Sequence, residues 1–308
     1  MQALSMSSTN LSMLLPGSFY KKLKKAIMKF LLTCFLLSSL LYGGERGWNS
    51  LELATAYLHH SEPQRGWAWE LLEQYPFNGS EKVLDFGCGD GKITSKLSSF
   101  LPLGSITGVD ASSHMIQLAK MHFPNLDFRQ TTSSTFSEIT GTYDVIVSFS
   151  VFHFVDQPVE ILRNFKNHLH PDGRLLLTIP LPPSGVTRLA ADEYFSKYGI
   201  SPPWHLPNYS SKLSMRSVEG CKQKLEEAGY DILLMQKIDT PSIFPTIDDF
   251  TNWLIGTASA NWGVPFDVSQ PFFTDVVKKM LELDPALLNE QGCIILPQSR
   301  IHVIAKPI

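Results

Sequence analysis

Cysteine is scarce in this chain: four in 308 residues, Cys34, Cys88, Cys221 and Cys293, with no two close in sequence. That spacing excludes a zinc knuckle, a C-x-x-C redox pair and a dense disulfide framework. His59-His60, His168 and His170 lack partners at metal-ligand spacing, so no metal site is expected. Charged residues make up only 18%, against roughly 25% in ordinary soluble domains. There is no internal repeat and no long low-complexity tract. No apolar run reaches the about 20 residues of a membrane-spanning helix. What is present is an apolar fraction of 44%, enough for a sizeable core and too much for a disordered chain. The length corresponds to roughly two domain-equivalents, or one domain with insertions.

The net charge of −3 is unevenly spread. Residues 1–47 hold Lys21, Lys22, Lys24, Lys25, Lys29 and Arg46 against one acid, Glu45, so the body is more acidic than the whole. An acidic body lacks the clustered Lys and Arg that phosphate binding needs, and no nucleic-acid partner is expected. The basic cluster followed by the apolar run Phe30–Tyr42 has the pattern of a signal peptide, with a poor cleavage site at Leu41-Tyr42-Gly43-Gly44. Three readings stay open: a membrane contact or anchor through residues 21–42, an export signal, or an over-extended gene start before Trp48. The reduced cysteines favour a cytoplasmic protein, with membrane anchoring as the alternative.

From Lys82 onward, apolar runs alternate with helical patterns. Strands are predicted at Lys82–Phe86, Ser105–Val109, Leu126–Gln130, Tyr143–Phe149, Arg174–Pro180, Asp231–Ile238, Gly292–Leu296 and Arg300–Ala305. Helices are predicted at Lys92–Phe100, Ser113–His122, Pro158–His168 and Ser217–Ala228. Ser112 offers an N-cap, Pro158 suits a first turn and Gly229 a helix end. This alternation predicts an α/β doubly wound sheet covered on both faces. The domain reading takes 48–180 as a ligand-binding core and 217–240 with 291–308 as the rest of its sheet. Residues 181–216, Pro-rich and read as irregular, and 241–290, aromatic and helical, are insertions over the carboxyl edge.

The strongest signal is Val83-Leu84-Asp85-Phe86-Gly87-Cys88-Gly89-Asp90-Gly91, a strand running into three glycines and then a helix. Glycine lets backbone approach a ligand with no Cβ in the way, and the helix start leaves N–H groups for an anion. Asp110 ends the next strand and can accept ribose hydroxyls of a nucleoside cofactor. A dinucleotide fingerprint would place its third glycine at 92, where this chain has Lys92. A purely structural loop is the remaining alternative.

This pattern resembles motif I of class I S-adenosylmethionine-dependent methyltransferases. Phe149-Ser150-Val151-Phe152-His153-Phe154-Val155 and Pro171-Asp172-Gly173-Arg174-Leu175-Leu176-Leu177 are similar to later segments of small-molecule members. Tyr57, Ser61 and Gln64 resemble the entry segment of juvenile hormone acid methyltransferases, and Phe250–Thr257 a segment of trans-aconitate methyltransferases. The resemblance implies a Rossmann-like seven-stranded sheet, parallel with one antiparallel C-terminal strand, with helical cap insertions. It implies S-adenosylmethionine as cofactor, held by Asp85, Gly87, Cys88, Gly89, Asp110, Ala111, Met115, Phe149 and Ser150. Thr132 would stand where the family carries an acid for the adenine amino group. The Asn/Asp-Pro-Pro-Tyr/Phe motif of amide and adenine methylation is replaced by Ser148-Phe149-Ser150-Val151.

The implied function is methyl transfer to a small molecule, with a carboxylate oxygen as the acceptor. The alternative is a non-catalytic methyltransferase-like binding or scaffold protein at a membrane. A carboxylate is already ionised at pH 7 and needs no general base. His153 is the candidate base, or a contact on the pocket wall. Gln64, Phe154, Arg188, Trp204 and Trp253 are the candidate acceptor contacts. Arg216 and Arg300 are further cations for a carboxylate; the alternative for these two and for Arg188 is a solvated surface role. Trp204, Tyr209, Trp253 and Trp262 could equally form the core of the cap. Oligomeric state has no signal in the sequence.

Overall fold

The computed structural model describes residues 48, 50–131, 139–182, 185–205 and 213–308. The N-terminal segment 1–47, Thr132 and Tyr209 lie outside the described residues. Seven strands form the central sheet: β1 (Lys82–Phe86), β2 (Ser105–Asp110), β3 (Asp127–Gln130), β4 (Tyr143–Phe149), β5 (Leu169–Pro180), β6 (Tyr230–Asp239) and β9 (Ser299–Pro307). Their order is β3-β2-β1-β4-β5-β9-β6, and β9 runs antiparallel to both neighbours. The other pairings are parallel. The chain winds outward from β1 in one direction and then from β4 in the other. Such a switch point opens a crevice at the carboxyl ends of the strands.

The central strands have no polar face because both sides are covered. In β4, Val145 and Val147 pack with Leu71, Val83 and Leu97 on one side, while Ile146 packs with Leu84, Phe165 and Leu225 on the other. The first layer uses α2 (Glu62–Leu72) and α3 (Lys92–Ser98), the second α5 (Pro158–His168) and α7 (Val218–Ala228). The expected boundary residues sit at helix ends. Ser112 caps α4 (Ser113–His122) by accepting from Met115 N, Pro158 opens α5, and Gly229 closes α7 at φ +84°.

Two features differ from expectation, and a third had no expectation attached. Residues 181–216 contain a regular helix, α6 (Gly185–Lys197), whose buried side chains are Thr187, Ala190, Ala191 and Phe195. Its buried face is made mostly of small residues, so the apolar period was faint. Ile294–Leu296 (β8) is not in the core sheet; it pairs with Ser242–Phe244 (β7) in a separate two-stranded sheet. Ahead of β1, α1 (Leu51–His60) joins α2 as a helix pair, and Ser50 caps α1.

A second apolar cluster unites α6, α8 (Ile247–Trp262), α9 (Phe266–Leu283) and the β7–β8 strand pair around Phe195, Phe250, Trp253, Trp262, Phe272 and Phe273. Gly256 of α8 lets α1 approach: a Cβ there would stand 2.9 Å from the Ala56 carbonyl. Among the described residues no helix is long and apolar enough to cross a membrane.

Candidate active site

The glycine loop leaves β1 at the switch point, and its geometry requires glycine. Gly87, Gly89 and Gly91 have φ of +78°, +55° and +78°, a region that disfavours residues with a Cβ. A Cβ on Gly87 would lie 2.1 Å from Val151 Cγ2, and one on Gly91 would lie 2.7 Å from Phe128 Cζ. Gly87 N and Cys88 N donate to the Val109 carbonyl at 2.7 and 3.0 Å, which ties the loop to β2. Gly89 N donates to Asp110 Oδ2 at 3.0 Å, and Ser112 N donates to Asp110 Oδ1 at 2.8 Å. Asp110 therefore joins the loop to the start of α4.

Across the switch point, β4 ends at Phe149. Ser150 follows with φ +58°, the only non-glycine residue with positive φ among those described. Its amide donates to the Thr178 carbonyl at 2.8 Å. A left-handed serine costs about 1–3 kcal/mol and is typical of ligand-binding turns. Val151, the next residue, fills the space that a side chain at Gly87 would occupy.

The cleft between these two turns is lined by Tyr57 and Ser61 from the α1–α2 corner, Arg65 from α2, Asp85, Gly87, Cys88 and Asp90 from the loop, Ile93 and Phe149. Its acids are held back from ionisation. Burial raises Asp85 to about 7, although Thr94 Oγ1 donates to Oδ2 at 2.6 Å. Burial also raises Asp90 and Asp110; backbone N–H groups partly offset this at each. Burial and the neighbouring acids push the Cys88 thiol up, which makes it a poor nucleophile. The buried carboxylates of Asp85 and Asp90 are thus ones that a cationic ligand would stabilise.

Residues 57–234 match the family described as a methyltransferase domain. The chain belongs to the methyltransferase domain family. It is 25% identical over 256 residues to trans-aconitate 2-methyltransferase of Escherichia coli, covering 81% of this chain and 96% of that one. It is 32% identical over 131 residues to malonyl-[acyl-carrier protein] O-methyltransferase of Bacillus anthracis, a match covering 41% of this chain and 48% of the relative. The fold is that of the YcgJ protein from Bacillus subtilis, with a TM-score of 0.52, 19% identity and coverage of 79% of this chain and 98% of that one.

In this member of the family the expected cofactor residues that are described lie around the switch point, with differing surroundings. Asp85, Gly87, Cys88 and Phe149 face the cleft directly. Ala111 is exposed, and its carbonyl accepts from Gln130 Nε2 at 3.0 Å. Met115 is buried against Ala54 and Leu118, with Trp48 and Tyr57 packed beside it. His153 and Phe154 lie on the turn after β4, their rings 4.0 Å apart. Gln64 and Trp253 meet: Trp253 Nε1 donates to Gln64 Oε1 at 3.1 Å, which joins α2 to α8.

The other expected acceptor contacts are engaged elsewhere. Arg188 is exposed on α6, its guanidinium 5.0 Å from the Trp204 ring centroid. Trp204 packs in the aromatic cluster of the second unit of core and donates to Asp192 at 2.8 Å. Arg216 donates to the carbonyls of Pro180 and Leu181. Arg300 is 1% exposed and pairs with Glu70 and Thr240 under Trp67. Arg216 and Arg300 are thus engaged within the fold, where the sequence left each open as a carboxylate contact or a solvated surface cation. Among the described residues no group of three His, Cys, Asp or Glu is placed to hold a metal. Arg65 and Asp90 carried no sequence signal of their own, although each adjoins a residue that did.

Proposed function

We propose that this protein transfers a methyl group from S-adenosylmethionine to a carboxylate oxygen of a small acid. The observation that carries the proposal is the carboxylate of Asp110, held by the Gly89 and Ser112 amides against a loop in which Gly87 and Gly91 have no room for a side chain. That is a cradle for a nucleoside whose ribose meets an acid and whose chain crosses bare backbone. When bound, the cofactor supplies a methyl group already activated on a sulfonium. The protein's contribution is then positioning and exclusion of water.

In this reading Asp110 holds the ribose, Met115 and Ala111 flank the base, and the Gly87–Gly89 backbone with Phe149 and Ser150 borders the reacting arm. Asp85 and its bond from Thr94 support the loop from below. His153 and Phe154 form the wall on the acceptor side. Residues 181–216 and 241–290 serve as the acceptor cap, tied to the core through Gln64 and Trp253. A carboxylate acceptor is supported by the two relatives, whose names specify a malonyl and an aconitate substrate. It also suits a site in which orientation suffices, because an ionised carboxylate needs no base.

The test supplies methyl-labelled cofactor with a panel of small mono- and dicarboxylic acids, together with pantetheine half-thioesters of the dicarboxylic acids, which keep one free carboxylate. A base-labile labelled ester is expected. A base-stable product would move the acceptor away from carboxylates. Binding of S-adenosylhomocysteine without any labelled product would leave a binding protein in place of an enzyme.

A further inference from the structure

The two sheets are parts of one ribbon. Asp239 pairs with Ser299 at the end of the β6–β9 ladder, and Ser242 pairs with Leu296 in the β7–β8 ladder. The register is the same in both, so Thr240 stands opposite Gln298 and Pro241 opposite Pro297. The antiparallel ladder thus stops for two residue pairs and resumes without a slip. Proline has no N–H to give a ladder, and here both strands carry one at the same step. Both prolines are exposed, so no packing fixes the step from outside. On the core side the ribbon is anchored: Arg300 Nη1 donates to Thr240 Oγ1 at 2.8 Å, and Arg300 Nε donates to Glu70 of α2 at 3.1 Å. Across the step, Ser242 Oγ donates to Gln298 Oε1. On the far side, Phe244 of β7 packs on Phe250 and Trp253, with ring centroids 5.0 and 5.2 Å apart, which makes one body of the ribbon's end and α8.

The helix α8 packs on α1 at Gly256, and α1 supplies Tyr57 to the cleft. The free volume of the cleft is about 10 Å³, room for about one water. A larger ligand enters only when a wall moves. The walls from β1, β4 and the glycine loop belong to the sheet. The α1 wall rests on a body that hangs from the sheet by two strands. We propose that the Pro241–Pro297 step is a hinge. On it the body made of β7, α8, α9 and β8 swings, taking α1 with it and opening the cleft along its Tyr57 side. The Ser242–Gln298 bond spans the hinge and holds the closed position, and the Trp253–Gln64 bond holds it farther out. Hinges are a few element-terminal residues that absorb the rotation. The inference rests on the reading of the cleft as a ligand site.

The experiment measures distances by double electron–electron resonance in the full chain carrying Cys34→Ser and Cys293→Ser; Cys88 and Cys221 are buried. Spin labels go on Leu283→Cys of α9, paired in turn with Met121→Cys of α4 and Leu103→Cys ahead of β2, all exposed positions. Without ligand, at least one pair should give two distances, and S-adenosylhomocysteine should deplete one of them. Ser242→Ala should raise the depleted population about threefold or more before ligand is added, the loss of one hydrogen bond. Pro241→Val combined with Pro297→Val returns both ladder N–H groups and should leave a single distance. One narrow distance per pair, in wild type and Ser242→Ala alike, would overturn the hinge. Two distances that persist in the double proline variant would overturn its placement at this step. Two distances that S-adenosylhomocysteine leaves unchanged, while calorimetry shows it binding, would overturn the link to the cleft. If calorimetry shows no binding, the donor reading fails, and the ligand-free distances still decide the hinge.

Discussion

Asp85 is the residue whose environment has the clearest consequence in solution. It is fully buried under the glycine loop, and burial raises its carboxyl to about 7. A cationic ligand beside it favours the ionised form, so binding releases a proton when the pH is below that value. The affinity for S-adenosylmethionine should therefore rise with pH by up to about tenfold per unit below pH 7 and level off above it. Asp85→Asn should flatten the rise. Calorimetry in buffers of different ionisation enthalpy reads the proton directly, and an unchanged slope in the variant would remove Asp85 from the site. The sequence marked Asp85 and Asp110 because strand, glycine turn and acid recur in a fixed order. Arg65 and Asp90 escaped notice because nothing local distinguishes them from a solvated arginine and a loop aspartate.

Helix contacts decide how the cleft is closed. The α1–α2 corner brings Tyr57, Ser61 and Arg65 to the loop, and α8 holds that corner in place through two features. One is the close approach at Gly256; the other is the bond from Trp253 to the buried Gln64. Gly256→Ala would force a methyl into backbone, with an expected loss of about 1–3 kcal/mol in stability. A weaker grip on S-adenosylhomocysteine should accompany it. Trp253→Phe leaves Gln64 Oε1 without its buried donor, at a cost of about 1–3 kcal/mol. Denaturant unfolding gives the stabilities, and titration gives the affinities. If both variants bind as the wild type does, the corner plays no part in the site. Gln64 and Trp253 were both legible as residues of interest, but their sequence separation hid that they serve each other.

For the molecule as a whole, acid stability depends on β9. His302 is fully buried there, between β5 and β6, and burial with the nearby Arg300 lowers its pKa to about 4. The unfolded chain protonates this imidazole below about 6.5, where the folded chain does not. Its contribution therefore makes the fold less stable as pH falls from about 6.5 to 4, by about 3 kcal/mol in total. Asp85 works in the opposite sense, because its raised carboxyl makes folding more favourable as pH falls through 7. The His302 contribution is therefore read as a difference: His302→Asn should lose less stability on acidification than the wild type. A variant with the same acid slope would show that His302 is not the group responsible.

Alternating apolar runs, each near the length of one strand or helix, were sufficient for the sheet, its helical cover and the glycine turn, because burial on both faces leaves a local, periodic imprint. The helix α6 and the strand pair β7–β8 left a weaker imprint. One has a buried face of alanine and threonine, and the other takes its partner from a distant segment. Partners for long polar side chains had no local imprint at all. Arg300 could equally have met a ligand or Glu70, and only the packing of α2 over β9 gave it Glu70. The same packing carried Arg65 to the cleft, because Arg65 and Glu70 stand on different faces of α2, one toward the loop and the other toward β9. Local patterns specify which elements form. Which charges end up facing one another depends on contacts between residues far apart in the chain.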